Sequence, residues 1–193
     1  MLYRIVKRVF DFICALIGIV GTSPLWIIGV VGILLSDWGP VFYVATRIGK
    51  NNEPFKMYKF RSMRVNAAEK TGWSRNEDPR KTPFGSFIRK FSIDELPQFF
   101  NVLKGDMSLV GPRPEVPFYV EQFKEEIPRY MVKHQVRPGI TGWAQVNGYR
   151  GDTSIKKRIE YDLYYIENWN VFFDLKILLM TLTRSMNSEK IVH

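Results

Sequence analysis

One stretch decides how this chain folds and what it can do: Ser92-Ile93-Asp94-Glu95-Leu96-Pro97-Gln98-Phe99-Phe100-Asn101-Val102-Leu103-Lys104-Gly105. Its apolar side chains recur at helical spacing and predict one apolar helix face; they are Leu96, Phe99, Phe100 and Leu103. Because proline lacks a backbone N–H, Pro97 belongs in a first helical turn, which predicts Asp94 as the N-cap and Glu95 as the first helical residue. Gly105 is a typical helix stop. Both carboxylates would then lie at the positive end of a helix dipole, which also attracts phosphate.

A simpler interpretation of the same residues is open. Ser92 and Glu95 would form an ordinary capping box, and Asp94 would be a solvated neighbour. Taken alone, the stretch favours this interpretation, because helix caps are far commoner than active sites. The rest of the chain favours an active site.

Composition limits the classes of function. The chain has 193 residues and a net charge of +9, which fits one domain with a core and an anionic partner such as nucleic acid, a phosphorylated small molecule or anionic lipid. Cys14 is the only cysteine, so an intrachain disulfide is excluded. Only two histidines are present, which argues against a histidine-based metal site or a Ser-His-Asp triad.

The N-terminal region predicts a membrane anchor over residues 1–40. No charged side chain occurs in residues 12–35, which is long enough for a spanning helix of about 20 residues. Pro24 interrupts this run, and the Ser23 hydroxyl can bond to the preceding turn and increase the bend. Each half is then about 18 Å long, too short to cross roughly 30 Å of hydrocarbon.

Basic residues on both sides of the apolar run favour one membrane face for both flanks. Arg4, Lys7 and Arg8 precede it, and Arg47 and Lys50 follow it. We therefore predict a re-entrant helix hairpin hinged at Ser23 and Pro24 rather than a straight span. A kinked spanning helix, a cleaved signal peptide and a buried core helix are the alternatives.

The remainder predicts a small catalytic domain over residues 41–186 and a tail over 187–193. Residues 41–45 and 55–60 resemble short strands, whereas 117–131, 155–168 and 172–186 resemble helices. Residues 83–91 form a short amphipathic segment whose apolar face fits either the membrane interface or the soluble core.

Five basic residues lie within two positions of proline, glycine or aromatic residues. They are Lys59, Arg61, Arg89, Arg113 and Arg137. Rigidly framed arginines suit bidentate phosphate binding, although any one of them alone could be an ordinary surface residue. An acidic pair suits Mg²⁺ bridged to substrate phosphates, and a carboxylate can also attack phosphorus. No GxxxxGK[ST] loop is present, which excludes a P-loop NTPase.

Six motifs together resemble the bacterial sugar transferase family, the monotopic phosphoglycosyl transferases. They are Thr22-Ser23-Pro24, Lys59-Phe60-Arg61-Ser62-Met63, Asp94-Glu95-Leu96-Pro97-Gln98, Asn101-Val102-Leu103-Lys104-Gly105-Asp106-Met107-Ser108, Gly111-Pro112-Arg113-Pro114-Glu115 and Arg137-Pro138-Gly139-Ile140-Thr141-Gly142. The resemblance runs from about residue 3 to about residue 183. The multi-spanning extension of larger members is not seen, so the chain resembles the minimal catalytic form.

The resemblance implies a mixed α/β, mostly helical fold with a re-entrant hairpin and interfacial helices. It implies transfer of a sugar 1-phosphate from a UDP-sugar to undecaprenyl phosphate, with Asp94 as nucleophile and as ligand of Mg²⁺, and Glu95 assisting. The residues expected to bind substrate are Lys59, Arg61, Arg89, Arg113, Arg137 and Gln145.

The resemblance further implies a monotopic protein on the cytoplasmic face of the bacterial inner membrane, with membrane lipid but no nucleic acid as a partner. A homodimer is left open. Residues 160–169 resemble those of members that use glucose or galactose in exopolysaccharide or O-antigen assembly. The alternatives from other classes are a membrane-tethered protein that binds nucleic acid or another polyanion, and a non-catalytic membrane scaffold. A steep salt dependence of DNA binding would support the nucleic-acid binder.

Overall fold

The computed structural model describes residues 2–65, 80–151 and 153–186, so the predicted tail over 187–193 lies outside the described residues. The chain is mixed α/β and mostly helical, which confirms this part of the predicted fold class. The helices are α1 (Leu2–Gly21), α2 (Ser23–Ser36), α3 (Pro83–Lys90), α4 (Gln98–Lys104), α5 (Pro117–Glu126), α6 (Trp143–Val146), α7 (Ile155–Glu167) and α8 (Val171–Met186). The strands are β1 (Phe42–Ile48), β2 (Pro54–Phe60), β3 (Ser108–Val110) and β4 (Gly139–Thr141). Short 3₁₀ turns cover Lys50–Asn52, Ile93–Glu95 and Tyr130–Gln135.

The strands form two small sheets. β1 and β2 make an antiparallel hairpin in which Phe42 is opposite Phe60 and Ile48 is opposite Pro54. The first strand, predicted over residues 41–45, therefore extends three residues further, to Ile48. β3 and β4 pair in parallel, with Ser108 opposite Gly139.

The helix predicted over residues 117–131 ends early. α5 stops at Glu126, and Ile127 has the extended backbone favoured before proline. Arg129 then adopts a left-handed conformation with φ of 62°. Pro128 therefore ends this helix, a signal that the prediction of a helix over residues 117–131 missed.

The N-terminal apolar run is broken into two helices, as predicted, but the break is centred on Thr22. α1 and α2 are bent by 60° relative to one another. The Thr22 hydroxyl donates to the Gly18 carbonyl at 2.7 Å and accepts from the Trp26 indole at 3.1 Å. Pro24 lies in the first turn of α2, where its missing N–H costs little. The hydroxyl that bonds to the preceding turn therefore belongs to Thr22, not to Ser23 as the sequence had indicated.

α1 packs against the rest of the protein. Ala15 is fully buried in the main core. The Arg8 guanidinium donates to the carbonyls of Val102 and Leu103, at the carboxyl end of α4. Farther along α1, the buried Asp11 carboxylate accepts from the Leu109 amide at 3.1 Å. These contacts fix α1 to α4 and β3.

α2 packs against α3. The ring of Phe84, on α3, lies so close to Gly32 that a Cβ at that position would overlap it. Ile88 is fully buried, whereas Phe87 and Phe91 are exposed. The amphipathic segment predicted over residues 83–91 therefore has its apolar side chains divided between the core and the surface.

Candidate active site

The central stretch folds differently from the predicted helix. Ile93–Glu95 form a 3₁₀ turn, and α4 begins only at Gln98, with Pro97 as its N-cap. Asp94 is therefore not the N-cap of α4. Ser92 has a left-handed backbone with φ of 57° and makes no side-chain cap, so the capping-box interpretation is wrong. A left-handed serine is sterically unfavourable by itself and is maintained here by tertiary contacts.

α4 ends as predicted and supports the neighbouring strand. Gly105, with φ of 95°, is its C-cap. The buried Asn101 amide bonds to the backbone of β2: its Oδ1 accepts from the Tyr58 amide at 3.0 Å and its Nδ2 donates to the Lys56 carbonyl at 2.7 Å. These two bonds hold β2, which carries Lys59, beside the stretch that carries the acidic pair.

Three cations surround the Glu95 carboxylate. Lys59 Nζ lies 2.8 Å and Arg113 Nη2 3.3 Å from Oε1, whereas Arg150 Nη2 lies 3.1 Å from Oε2. Burial alone would raise the pKa of Glu95, but Arg150, Lys59 and Arg113 outweigh it and hold that pKa well below its usual value. Glu95 is therefore ionised, and both of its carboxylate oxygens are paired with cations.

Asp94 is in the opposite situation. Its side chain is buried, yet no hydrogen bond or ion pair engages its carboxylate among the residues that the structure describes. Burial, and after it the charge of Glu95, raises the pKa of Asp94. Lys59, Arg89 and Arg150 oppose that rise. A carboxylate without protein partners, close to several cations, is suited to react with or coordinate an anionic group.

The other predicted substrate-binding residues have structural contacts elsewhere. Arg61 donates to the Asp37 carbonyl, and its Nη1 lies 3.8 Å from the Asp37 carboxylate, just after α2. Arg137 Nε donates to the Gly105 carbonyl at 2.7 Å, and Gln145 Nε2 donates to the Ile140 carbonyl at 3.2 Å. The structure thus brings Lys59 and Arg113 to the acidic pair and places the charge of Arg89 close to Asp94.

Sequence reasoning missed two arginines at this site. Arg150 pairs with Glu95 and also donates to the Ser92 hydroxyl at 3.2 Å. Arg47, on β1, interacts electrostatically with Arg113 and Glu95. Both residues stand next to or near glycine, in Tyr149-Arg150-Gly151 and Arg47-Ile48-Gly49. That framing is the signal that had selected the other five basic residues, so both could have been found.

Only one carboxylate of the acidic pair could take part in a magnesium site that substrate phosphates and water complete. No group of three or more His, Cys, Asp and Glu side chains that could hold a metal occurs in the described parts of the chain. Mg²⁺ commonly needs only one or two protein carboxylates together with substrate phosphates and water. The Asp94 carboxylate, which lacks described protein partners, fits that requirement, whereas the Glu95 oxygens are engaged by cations.

Comparison with known proteins gives the family. The sequence profile described as bacterial sugar transferase matches residues 2–188. The chain belongs to this family. The resemblance drawn from the six motifs is thereby confirmed.

The chain is similar over most of its length to several bacterial transferases. The chain is 45% identical over 183 residues to the UDP-glucose:undecaprenyl-phosphate glucose-1-phosphate transferase of Escherichia coli K12. It is 48% identical over 184 residues to an Aeromonas hydrophila UDP-N-acetylgalactosamine-undecaprenyl-phosphate N-acetylgalactosaminephosphotransferase. An uncharacterized sugar transferase of Bacillus subtilis is 43% identical over 187 residues.

The matches cover different shares of these relatives. They include 92%, 94% and 97% of this chain, in the same order. They include 39% of the Escherichia coli protein, 44% of the Aeromonas protein and 90% of the Bacillus protein. The chain therefore spans about two-fifths of the length of the first two relatives.

Proposed function

We propose that this protein transfers a sugar 1-phosphate from a UDP-sugar to undecaprenyl phosphate and releases UMP. The observation that carries the proposal is the contrast between the two neighbouring acids. Glu95 is saturated by three cations, whereas the Asp94 carboxylate has no described protein partner. Two relatives of the same family are named as transferases that use UDP-sugars and undecaprenyl phosphate.

The proposed reaction has two steps. An Asp94 carboxylate oxygen attacks the β-phosphorus of the UDP-sugar, the bond from that phosphorus to the bridging oxygen breaks, and UMP leaves with the electron pair. An oxygen of undecaprenyl phosphate then attacks the same phosphorus and displaces Asp94. Each step exchanges one phosphorus–oxygen bond for another, so Asp94 is regenerated as a carboxylate.

The cations would lower the barrier by electrostatic stabilisation. Phosphoryl transfer depends mainly on positioning and on neutralising charge at the phosphoryl oxygens. Lys59, Arg113 and Arg150 converge on Glu95, and Arg89 and Arg47 add positive charge close by. Mg²⁺ held by Asp94 would neutralise charge on the diphosphate oxygens when it is bound.

We also propose that α1 and α2 form a re-entrant anchor at the membrane, with the site on the cytoplasmic side. No single described helix has the length and apolar character to cross a bilayer, and the bent α1–α2 pair passes that test only as a unit. Both ends of the pair contact the same body, since Arg8 binds α4 and Arg61 binds Asp37. Apolar side chains remain exposed along both helices, including Ile17, Val20 and Ile27.

Asp94→Asn tests the chemistry. The parent chain, in nanodiscs that contain undecaprenyl phosphate, is expected to release UMP from at least one member of a panel of UDP-sugars. A radiolabelled sugar phosphate is expected to remain on the parent protein when the lipid acceptor is omitted, and to be absent from Asp94→Asn. An adduct that survives this substitution would place the nucleophile elsewhere, and failure of the parent to release UMP from any sugar would refute the transferase.

Cysteine labelling tests the anchor. In a Cys14→Ser background, Arg4→Cys and Glu53→Cys place single thiols in the first turn of α1 and after β1. We expect a membrane-impermeant reagent to label both from the same side of sealed vesicles. Labelling from opposite sides would refute the hairpin and would support a spanning segment.

A further inference from the structure

A buried arginine connects the two chain segments that contain Arg113 and Arg150, the arginines that pair with Glu95. Arg158, on α7, is only 2% exposed. Its Nη1 donates to Glu115 Oε1 at 2.9 Å. Its Nη2 donates to the Gly151 carbonyl at 2.5 Å and lies 3.5 Å from the Thr153 hydroxyl. One planar guanidinium therefore holds two chain segments that are 36 residues apart, at positions 115 and 151.

Each of these contacts lies next to a residue of the site. Glu115 follows Arg113 after a single proline, Pro114, which stiffens the connection. Gly151 directly follows Arg150. Arg113 and Arg150 approach different oxygens of the same carboxylate, Oε1 and Oε2 of Glu95.

A third segment is tied to the same point. The Ile48 amide, at the end of β1, donates to the Glu115 carbonyl at 3.0 Å. Arg47, which interacts electrostatically with Arg113 and Glu95, is the preceding residue. The Glu115 backbone and side chain thus join β1 to the segment that Arg158 holds.

We infer that Arg158 is a positioning residue for the proposed transferase reaction, setting the separation of the Arg113 and Arg150 guanidiniums across Glu95. This inference rests on the proposed function. Arg158 lies behind the site and acts through Glu115 and the Gly151 carbonyl, not through the substrate. Its planar fork can serve two acceptors at once, whereas a lysine ammonium on a flexible stem does not reproduce that geometry.

With Arg158 in place, the Arg113 and Arg150 guanidiniums have a fixed separation before a diphosphate binds. Displacing a catalytic contact by about 1 Å can lower a rate by about a hundredfold. Loss of the fork would release the Arg113 and Arg150 segments together, since the one Arg158 guanidinium binds both Glu115 and the Gly151 carbonyl.

Arg158→Lys in the full-length protein tests the inference, because it keeps the charge and removes the fork. We expect kcat/KM for the UDP-sugar to fall about tenfold to a hundredfold, with KM rising as well as kcat falling. Arg129→Lys is the matched control, because it makes the same change in an exposed ion pair with Glu167 and should leave both constants within about twofold.

A double-substitution cycle separates positioning from general damage. If Arg158 acts partly through Arg150, Arg158→Lys should lose less activity in an Arg150→Ala background than in the parent. The inference would be overturned if Arg158→Lys lost the same factor of activity in the parent and in Arg150→Ala, and Glu115→Gln lost the same factor in the parent and in Arg113→Ala. Glu115→Gln also serves if Arg158→Lys does not fold, since it weakens the same connection from the other side.

Hydrogen exchange gives a readout that does not depend on turnover. We expect Arg158→Lys to accelerate amide exchange in residues 111–116 and 148–154 while α1 and α4 keep the exchange of the parent. Unchanged exchange in both segments would overturn the inference even if the parent is an active transferase. Conversely, a parent that releases no UMP would refute the proposed function, and the exchange result would still decide whether Arg158 holds the two segments.

Discussion

Glu95→Gln is the most informative single substitution, because it keeps the shape of the side chain and removes the charge that neutralises the site. In the parent, Lys59, Arg150 and Arg113 approach the Glu95 carboxylate at 2.8, 3.1 and 3.3 Å. A glutamine amide has only one oxygen, and its NH₂ group must face at least one of these cations. The three positive charges would then repel one another without the carboxylate between them.

The expected loss of stability follows from burial. Removing one partner of a fully buried ion pair costs about 3–5 kcal/mol. The Glu95 side chain is 7% exposed, but Lys59, Arg113 and Arg150 are 15%, 25% and 45% exposed, so water screens part of the effect. We therefore expect the free energy of unfolding to fall by about 1–3 kcal/mol, which corresponds to a melting temperature roughly 2–12 °C lower.

The same substitution should increase the affinity for a small polyanion. One uncompensated positive charge at about 10 Å, with an effective dielectric constant of about 20, strengthens binding by roughly 1.7 kcal/mol for each negative charge on the ligand. Inorganic pyrophosphate, which carries several, should thus bind Glu95→Gln more than about tenfold more tightly than it binds the parent. Because a ligand that binds only the folded state stabilises it, pyrophosphate should recover part of the lost melting temperature.

Thermal unfolding in detergent, followed by tryptophan fluorescence during a pyrophosphate titration, measures both effects. Glu125→Gln, the same change on the exposed surface of α5, is the control and should behave like the parent. If Glu95→Gln melted at the parent temperature and responded to pyrophosphate as the parent does, Glu95 would not be the group that balances the cations. UMP release by the variant should also fall, since the cations lose the residue on which they converge.

Two further substitutions test the surroundings of the site. A Cβ at Gly85 would overlap the Ser62 carbonyl, so Gly85→Ala should displace α3 and lower stability by about 1–3 kcal/mol, whereas the exposed Ser86→Ala should not; melting temperatures decide this. Burial raises the pKa of Asp162 to about 6, above the unfolded value of about 3.9, so its contribution to stability is present below pH 4 and is lost as the pH rises through 6. Asp162→Asn should therefore abolish a decrease of about 2–3 kcal/mol in the free energy of unfolding between pH 4 and pH 7. Burial lowers the pKa of His134 to about 4, which gives a pH dependence of the opposite sign, but His134 is present in both proteins and its effect cancels in the comparison. An unchanged pH dependence in Asp162→Asn would contradict the raised pKa of Asp162.

Sequence patterns correctly predicted those secondary-structure elements that neighbouring residues determine. The apolar run broken near Pro24 gave two helices, and the Gly105 stop ended α4 where expected. The hairpin of β1 and β2 followed from two short apolar segments separated by turn residues. In each case a steric or hydrogen-bonding property of nearby residues is sufficient to set the structure.

Features set by distant contacts could not be predicted from those patterns. Arg61 and Arg113 both have rigid framing in the sequence, yet Arg61 binds Asp37 and Arg113 binds Glu95. Which carboxylate each guanidinium meets depends on how α2 and the Gly111–Glu115 segment are placed by the whole fold. The left-handed backbone of Ser92 is likewise a tertiary effect, because serine alone disfavours it.

The 3₁₀ turn over Ile93–Glu95 points the side chains of the two adjacent acids in different directions. In a 3₁₀ turn with three residues per turn, consecutive side chains point about 120° apart. Glu95 can therefore face Lys59, Arg113 and Arg150 while Asp94 faces away from those contacts. The saturated acid concentrates positive charge at the site, and its neighbour remains able to react with an anionic substrate. Had the helix begun with Ser92 as the N-cap of an ordinary capping box, the Glu95 side chain would have turned back to accept from the Ser92 amide, and the three cations would have had no common partner.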